Sequence, residues 1–331
     1  MIDLIIPTYN AEDTIGRALA SIAAQTKQRK FLVTVVDDCS TDATAAIVQK
    51  FKGIIPLQYI KLEKNLGKPG LVRNEGIKRT TCPYIMFLDA DDMLMPMAGE
   101  VLSRAVTQKT PDIVLGSFYA ENRLEKEKER YSIFSTNKIT WLHGNVYSRK
   151  YLKKNNIEFD NRMNEDGSFN MKAICLTDNI YHIEEPMAIW THNPKSLTRS
   201  NNLFMLDIST DYIDTYTDAI KFIIEKDNEQ VIKENFIDMC AHKLAEFFEF
   251  AEANNHYNKL MEEILNSINN YVNILKKYKM LSNSFILKVN ECYNNFEIFR
   301  DIIRTHTVCD YFNLYEIDYR EAFNGHCGIC H

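Results

Sequence analysis

Residues 84–92 read Tyr84-Ile85-Met86-Phe87-Leu88-Asp89-Ala90-Asp91-Asp92, an apolar run that ends in three carboxylates. A short apolar run closed by a polar cluster reads as a buried strand with an exposed end. Along an extended segment residues two apart share a face, so Asp89 and Asp91 are expected to converge while Asp92 points elsewhere. Two converging carboxylates need a proton or a cation to offset their repulsion. Their hard oxygens suit Mg2+ or Mn2+, ions that also bridge phosphate oxygens.

Towards the N-terminus, strand and helix patterns alternate. Residues 2–7 form an apolar strand, followed by Thr8-Tyr9-Asn10 with Asn10 as an expected helix N-cap. Ile15, Ala18, Leu19 and Ile22 recur at helical spacing. Residues 31–36 form a second strand that ends at Asp37-Asp38, and the cap-type residues Ser40, Thr41 and Asp42 lead into a helix over 43–51. Residues 57–62 form a third strand, then Asn65-Leu66-Gly67-Lys68-Pro69-Gly70 turns into a helix carrying Arg73, Asn74 and Ile77. This order predicts an α/β fold, a mostly parallel sheet with helices on both faces. Ligands of such sheets sit beyond the carboxyl ends of the strands. Tyr9, Asp37-Asp38, Asn65 and Asp89-Ala90-Asp91 each follow a strand, so one pocket should gather all four.

Towards the C-terminus, residues 96–108 look helical and 112–118 look like a strand. The mixed-charge run 121–130 reads as a solvated hairpin or loop. Trp141, His143 and Gly144 follow, then Glu165-Asp166-Gly167 at the head of an amphipathic helix through Phe169, Ala173 and Leu176. Strand patterns over 179–183 and 186–190 lead to His192-Asn193-Pro194-Lys195-Ser196-Leu197-Thr198. After about residue 203 Gly and Pro nearly vanish and apolar residues recur at helical spacing. The expected organisation is an α/β domain over 1–202 and a helical C-terminal domain over 203–331, the element through which an oligomer would form. The chain ends in a tail rich in Cys and His. There, Cys327-Gly328-Ile329-Cys330 with His306 and Cys309 has zinc-ligand spacing, and free thiols are the alternative.

A length of 331 residues allows one large domain or two, and 45% hydrophobic with 25% charged residues fits a soluble globular chain. The net charge of -6 argues against a general basic surface for nucleic acid or anionic membrane. No apolar run is long enough to span a bilayer, and no signal-peptide pattern opens the chain. The 8 cysteines are mostly scattered through apolar segments, which suits reduced thiols in the cytoplasm.

Taken together and in order, Ile6-Pro7-Thr8-Tyr9-Asn10, Val36-Asp37-Asp38-Cys39-Ser40-Thr41-Asp42, Asn65-Leu66-Gly67 with Arg73-Asn74, Phe87-Leu88-Asp89-Ala90-Asp91-Asp92 and Glu165-Asp166 resemble the family 2 glycosyltransferases of the GT-A fold. The likeness covers roughly residues 1–200. The Gln-x-x-Arg-Trp motif of the family's processive members is absent from the sequence, which favours transfer of a single sugar.

The resemblance implies a nucleotide-sugar donor. Pro7 and Tyr9 would lie against the base, Asp38 would accept a base N–H and so favour uracil, and Asn65, Lys68 and Arg73 would steady base or diphosphate. Asp89 and Asp91 would hold the Mn2+ or Mg2+ on the diphosphate, with His192 as a further ligand, and Lys195, Ser196 and Thr198 would contact phosphates. Asp166 would be the general base of an inverting displacement, with N-capping as a second role. Trp141, His143 and Glu165 would line the acceptor side, with core packing as the alternative for Trp141 and His143.

Two other classes compete. A nucleotidyltransferase also pairs carboxylates with a metal, but needs no base for a sugar acceptor and usually carries a Gly-rich basic N-terminal loop that is missing here. A non-catalytic sugar-nucleotide-binding or interaction module would have no need of Asp89, Asp91 and Asp166 together. The acceptor stays open among glycan, lipid-linked sugar, protein, teichoic acid and modified nucleic acid.

Overall fold

The structure is a computed structural model that describes residues 1–25, 31–121, 131–134, 141–162, 165–191, 193, 209–226, 266, 267, 270, 273 and 274. The chain divides into two compact units, Met1–Phe204 and Met205–His331.

In the first unit, strands β1 (Ile2–Thr8), β2 (Phe31–Asp37), β3 (Leu57–Lys61) and β4 (Tyr84–Phe87) alternate with helices α1 (Ile15–Ala23), α2 (Thr44–Lys50) and α3 (Pro69–Arg79). Then come β5 (Met93–Leu94), α4 (Ala98–Lys109), β6 (Ile113–Glu121), β7 (Tyr131–Phe134), β8 (Val146–Ser148), α5 (Arg149–Asn155), α6 (Glu165–Ile174) and β9 (Ile180–Trp190). They form one 9-stranded sheet in the order β3-β2-β1-β4-β8-β6-β9-β5, with β7 paired to β6. The β3-β2-β1-β4 half is parallel throughout. Beyond β4 the sheet is mixed: β8 runs antiparallel to β4 and β6, while β6 and β9 are parallel. The two strand patterns over 179–190 are thus one strand, with a register shift at Gly116–Phe118 of its partner that absorbs the break.

Alternation along the strands decides which helix lies on which face. Ile2, Leu4 and Ile6 of β1 and Met86 and Leu88 around β4 join one core with Ile15, Leu19 and Ile22 of α1 and Leu102 of α4. Ile5 faces the other way, towards Gly76 of α3. Phe87 does the same, meeting Phe159 and Phe169 edge-on. Helices therefore cover both faces. The face shared by Ile5 and Phe87 holds α3 and α6, and with them the residues that matter most below.

In the second unit, α7 (Ser209–Glu225) buries Ile213, Tyr216, Ile220 and Ile223, a stripe at helical spacing. His306, Cys309, Cys327 and Cys330 lie outside the described residues.

Candidate active site

Because β1 to β4 are parallel, the segments that follow them meet along one edge of the sheet. Pro7 is buried within β1, whereas Tyr9 just past it is 52% exposed, an aromatic ring kept in the open. The backbone here is unusual: Asn10 and Cys39 adopt left-handed φ of 46° and 67°. Such conformations cost energy in residues other than glycine and concentrate at functional sites. Asn10 is not a helix cap. Its N–H donates to Ser40 Oγ at 2.9 Å and its Oδ1 accepts from the Thr41 N–H at 2.9 Å, which fastens the loop after β1 to the loop after β2.

Asp38 is buried and already employed. Its two oxygens accept the N–H groups of Leu66 and Gly67 at 2.6 and 3.0 Å. Its observed role is to shape the exposed Asn65–Gly67 turn, in which Gly67 needs φ 68°. Each carboxylate oxygen keeps a second lone pair after these bonds. Lys68 follows in extended conformation as the residue that caps α3, whose first position is Pro69.

The carboxylate cluster sits on a turn and not on an extended strand. The Asp92 N–H donates to the Asp89 carbonyl at 3.0 Å, and β4 has ended at Phe87. The three side chains then part. Asp89 Oδ1 meets Arg73 Nη2 at 2.7 Å, and Asp91 Oδ2 accepts from Asn193 Nδ2 at 2.8 Å. Asp92, fully buried, meets His143 Nε2 at 2.8 Å and accepts the Thr191 N–H at 2.8 Å. Burial raises the Asp92 carboxyl to about 6 against the pull of His143. Burial opposes a charged His143, but Asp92 outweighs it and raises the imidazole. Burial also disfavours charge on Asp89, yet Arg73 overrides it and holds that carboxyl low, whereas burial and the Asp89 charge together raise Asp91.

Ligand atoms of Asp89, Asp92 and His143 lie within 4.8 Å of one another. Asp92 and His143 bond each other, and the second Asp92 oxygen accepts the Thr191 N–H, so this pair acts as a brace, although each Asp92 oxygen keeps a second lone pair and His143 Nδ1 is buried without a partner among the described residues. Asp89 and Asp91 are the half-exposed members, and the charge of one opposes ionisation of the other. That donor set fits a hard divalent cation, which would relieve the opposition. His192, Lys195, Ser196 and Thr198 lie outside the described residues.

Arg73, expected to steady base or diphosphate, is here engaged by two carboxylates. It is 5% exposed, with Nη2 on Asp89 at 2.7 Å, Nη1 on Glu165 at 2.8 Å and its guanidinium 5.4 Å from the Phe159 ring centroid. It bridges the carboxylate turn and the head of α6. Glu165 and Asp166 lie inside the first turn of that helix and not ahead of it. Burial raises the Glu165 carboxyl to about 7, against the pull of Arg73. Glu165, expected on the acceptor side, is buried under Arg73. Asp166 is half-buried, and its Oδ1 accepts the Gly167 N–H at 3.0 Å. Burial raises its carboxyl, Arg73 opposes that, and Asp89 adds to it.

His143 is likewise buried, in keeping with the core-packing alternative. It packs among Phe118, Trp141 and Trp190. The Trp141 carbonyl accepts from both Asn145 Nδ2 and Asn170 Nδ2 at 2.8 Å, and Trp141 is half-buried against Trp190 with ring centroids 5.2 Å apart. Gly144 makes this loop close: its φ is 79°, and a Cβ there would stand 2.9 Å from the Gly116 and Ser117 carbonyl oxygens. Gly144→Ala is therefore expected to cost about 2 kcal/mol or more, read by chemical denaturation. A variant as stable as the parent would mean that the loop can relax.

Asp92, Thr191, Asn193, Phe159 and Asn74 hold this site together, and sequence reading did not single out any of them as a site residue. Asp92, Asn74 and Asn193 stand inside quoted motifs without a role of their own, whereas Thr191 and Phe159 carried no signal.

A half-sheet of parallel strands that delivers its loops to one edge, continued by a mixed half that carries α6, is the GT-A glycosyltransferase arrangement. The Glycosyl transferase family 2 profile matches residues 3–171, and the chain belongs to that family. Among curated relatives, the poly(ribitol-phosphate) beta-N-acetylglucosaminyltransferase TarS of Staphylococcus aureus (strain Mu50 / ATCC 700699) is 31% identical over 188 residues, which covers 54% of this chain and 33% of TarS. TarP of S. aureus (strain N315), named for the same activity, is 26% identical over 193 residues, covering 54% of this chain and 58% of TarP. The matches thus span a third to just over half of those relatives. The crystal structure of S. aureus TarS 1-349 with UDP-GlcNAc shares the fold, with a TM-score of 0.73 at 21% identity over 92% of this chain and 91% of that one. Among the described residues no helix is long and apolar enough to cross a membrane.

Proposed function

We propose that this chain transfers a single sugar from a uridine-nucleotide donor to an acceptor hydroxyl, inverting the anomeric carbon, in a reaction that depends on a divalent metal. The observation that carries this reading is the Asp89–Arg73–Glu165 bridge, which brings the carboxylate turn beside Asp166. UDP-GlcNAc in the TarS crystal supports a uridine donor, and the names of TarS and TarP support transfer of a single N-acetylhexosamine-type sugar. They also put a polyol-phosphate or sugar hydroxyl first among acceptors to try.

In this mechanism Tyr9 offers its open ring to the base, and Asp38 accepts the base N–H with a lone pair left over from its loop bonds. Asp89 and Asp91 would hold the Mn2+ or Mg2+, which when bound offsets charge on the departing diphosphate as a Lewis acid. Asp166 takes the proton of the acceptor hydroxyl as that oxygen bonds to the anomeric carbon and the bond to the diphosphate oxygen breaks. Arg73, by neutralising Asp89 and Glu165, leaves Asp166 as the carboxylate placed to receive that proton. A nucleotidyltransferase would have no use for Asp166 in this role.

A donor screen that reads released nucleoside diphosphate, followed by mass spectrometry of the acceptor, tests the proposal. A uridine donor and a product heavier by one sugar are expected. EDTA should abolish turnover and Mn2+ or Mg2+ should restore it. Asp91→Ala should lose turnover yet stay folded, because a half-exposed carboxylate is not a core residue. Full wild-type activity in metal-free buffer would remove the metal from the mechanism.

A further inference from the structure

We propose that Asn74 is a positioning residue, which acts through the Phe159 backbone to seat α6, and with it Asp166, on α3; this rests on Asp166 being the general base. Asn74 is 6% exposed and spends its whole amide on one distant residue. Its Nδ2 donates to the Phe159 carbonyl at 2.9 Å and its Oδ1 accepts the Phe159 N–H at 3.0 Å, across a sequence separation of 85. Such a two-point clamp imitates a strand pairing and fixes both position and orientation of the backbone that it grips.

The clamp is one part of a seam. Gly70, Arg73 and Asn74 lie three and four apart, on one face of α3. Gly70 touches the same ground: a Cβ there would run into the Glu165 and Phe159 side chains and stand 3.2 Å from the Asp160 carbonyl oxygen. Arg73 grips Glu165. From the other side, the Phe159 ring stacks on Phe169 of α6 at 4.0 Å and 5°. Lys172 of α6 holds both Asp160 oxygens at 3.0 and 2.9 Å. The segment around Phe159 is thus pinned between α3 and α6. The N-terminus of α3 emerges from the turn that Asp38 holds. One rigid helix therefore carries the donor loop at its end and the base helix along its side, so a loosened clamp displaces the base and leaves the donor loop where it was.

A double-mutant cycle of Asn74→Ala and Asp166→Asn tests this, with hydrolysis of UDP-GlcNAc to UDP and free GlcNAc in Mn2+, water standing in for the acceptor hydroxyl, and the Kd for UDP as readouts. Asn74→Ala is expected to lower kcat by about 10–10²-fold, as a misplacement near 1 Å can, with the Kd for UDP nearly unchanged. The double variant should be no slower than Asp166→Asn alone, because two changes that act through one group do not add. Asn74→Ser, which removes the two-point grip on Phe159 without burying a charge, should slow turnover as Asn74→Ala does, and it replaces Asn74→Ala in the cycle if that variant does not fold. Hydrogen exchange gives a readout free of substrate: residues 165–174 should exchange faster in either Asn74 variant while β1 to β4 keep their protection. Wild-type kcat in Asn74→Ala, losses that multiply in the double variant, or unchanged exchange in α6 would overturn the inference. Wild-type turnover in Asp166→Asn would instead overturn the assignment of the base, and this inference with it.

Discussion

Asp166→Asn is expected to cut turnover by about 10²–10⁴-fold and to leave affinity for UDP nearly unchanged. Asparagine keeps the size of the side chain and can still accept the Gly167 N–H, but it cannot take up a proton. The sign of the pH dependence follows from the same site. The base must be ionised to work, and burial raises the Asp166 carboxyl above its ordinary value. Activity should therefore fall on the acid side at a pH higher than an ordinary aspartate would give. That acid limb should flatten in Asp166→Asn. Turnover at the wild-type level would mean that the base lies elsewhere, and a retaining route would then be the better account. Kinetics across pH, with UDP affinity measured alongside, decide the matter.

Arg73→Met is expected to lower stability by about 3 kcal/mol, the lower end for removing one partner of a buried pair. The loss is concentrated at Glu165, whose side chain is 6% exposed and would be left buried without a counter-charge. The Asp89 side chain, 37% exposed, is screened by solvent and adds less. Arg73→Lys should recover only part of this, because one ammonium cannot span two carboxylates as the guanidinium fork does. Turnover should fall in both variants, since Asp89 and α6 lose their common tether. Chemical denaturation checks the stability, and a Met variant as stable as wild type would show that the bridge holds nothing together.

The parallel half of the fold was legible because each strand is a short apolar run followed by a polar segment, a local signal that tertiary contacts rarely overturn. The same signal put Tyr9, Asp38, Asn65 and Asp89 along one edge. The roles of Arg73, Asp38 and His143 were not legible, because they depend on partners far along the chain. Arg73 is read as a phosphate contact until Glu165, 92 residues away, is seen beneath it. His143 is open between lining an acceptor side and packing in the core until Asp92, 51 residues away, is seen to hold it. Asn10 and the Asp89–Asp92 turn were misread for a different reason. A left-handed Asn and a tight turn leave no period in the sequence, so the helix-cap and strand expectations took their place. The mixed half of the sheet escaped because its antiparallel members β5 and β8 span only 2 and 3 residues, too few to show a period, and the bulge opposite Gly116–Phe118 makes β9 look like two strands.

The central claim is that this sheet edge is a metal-assisted site for a uridine diphosphate. Calorimetric titration of the wild-type protein with UDP, GDP and ADP, each in Mn2+ and in EDTA, tests it most directly. UDP should bind more tightly than either purine diphosphate, and Mn2+ should strengthen its binding. A clear preference for a purine diphosphate, or UDP binding that is the same with and without the metal, would contradict it.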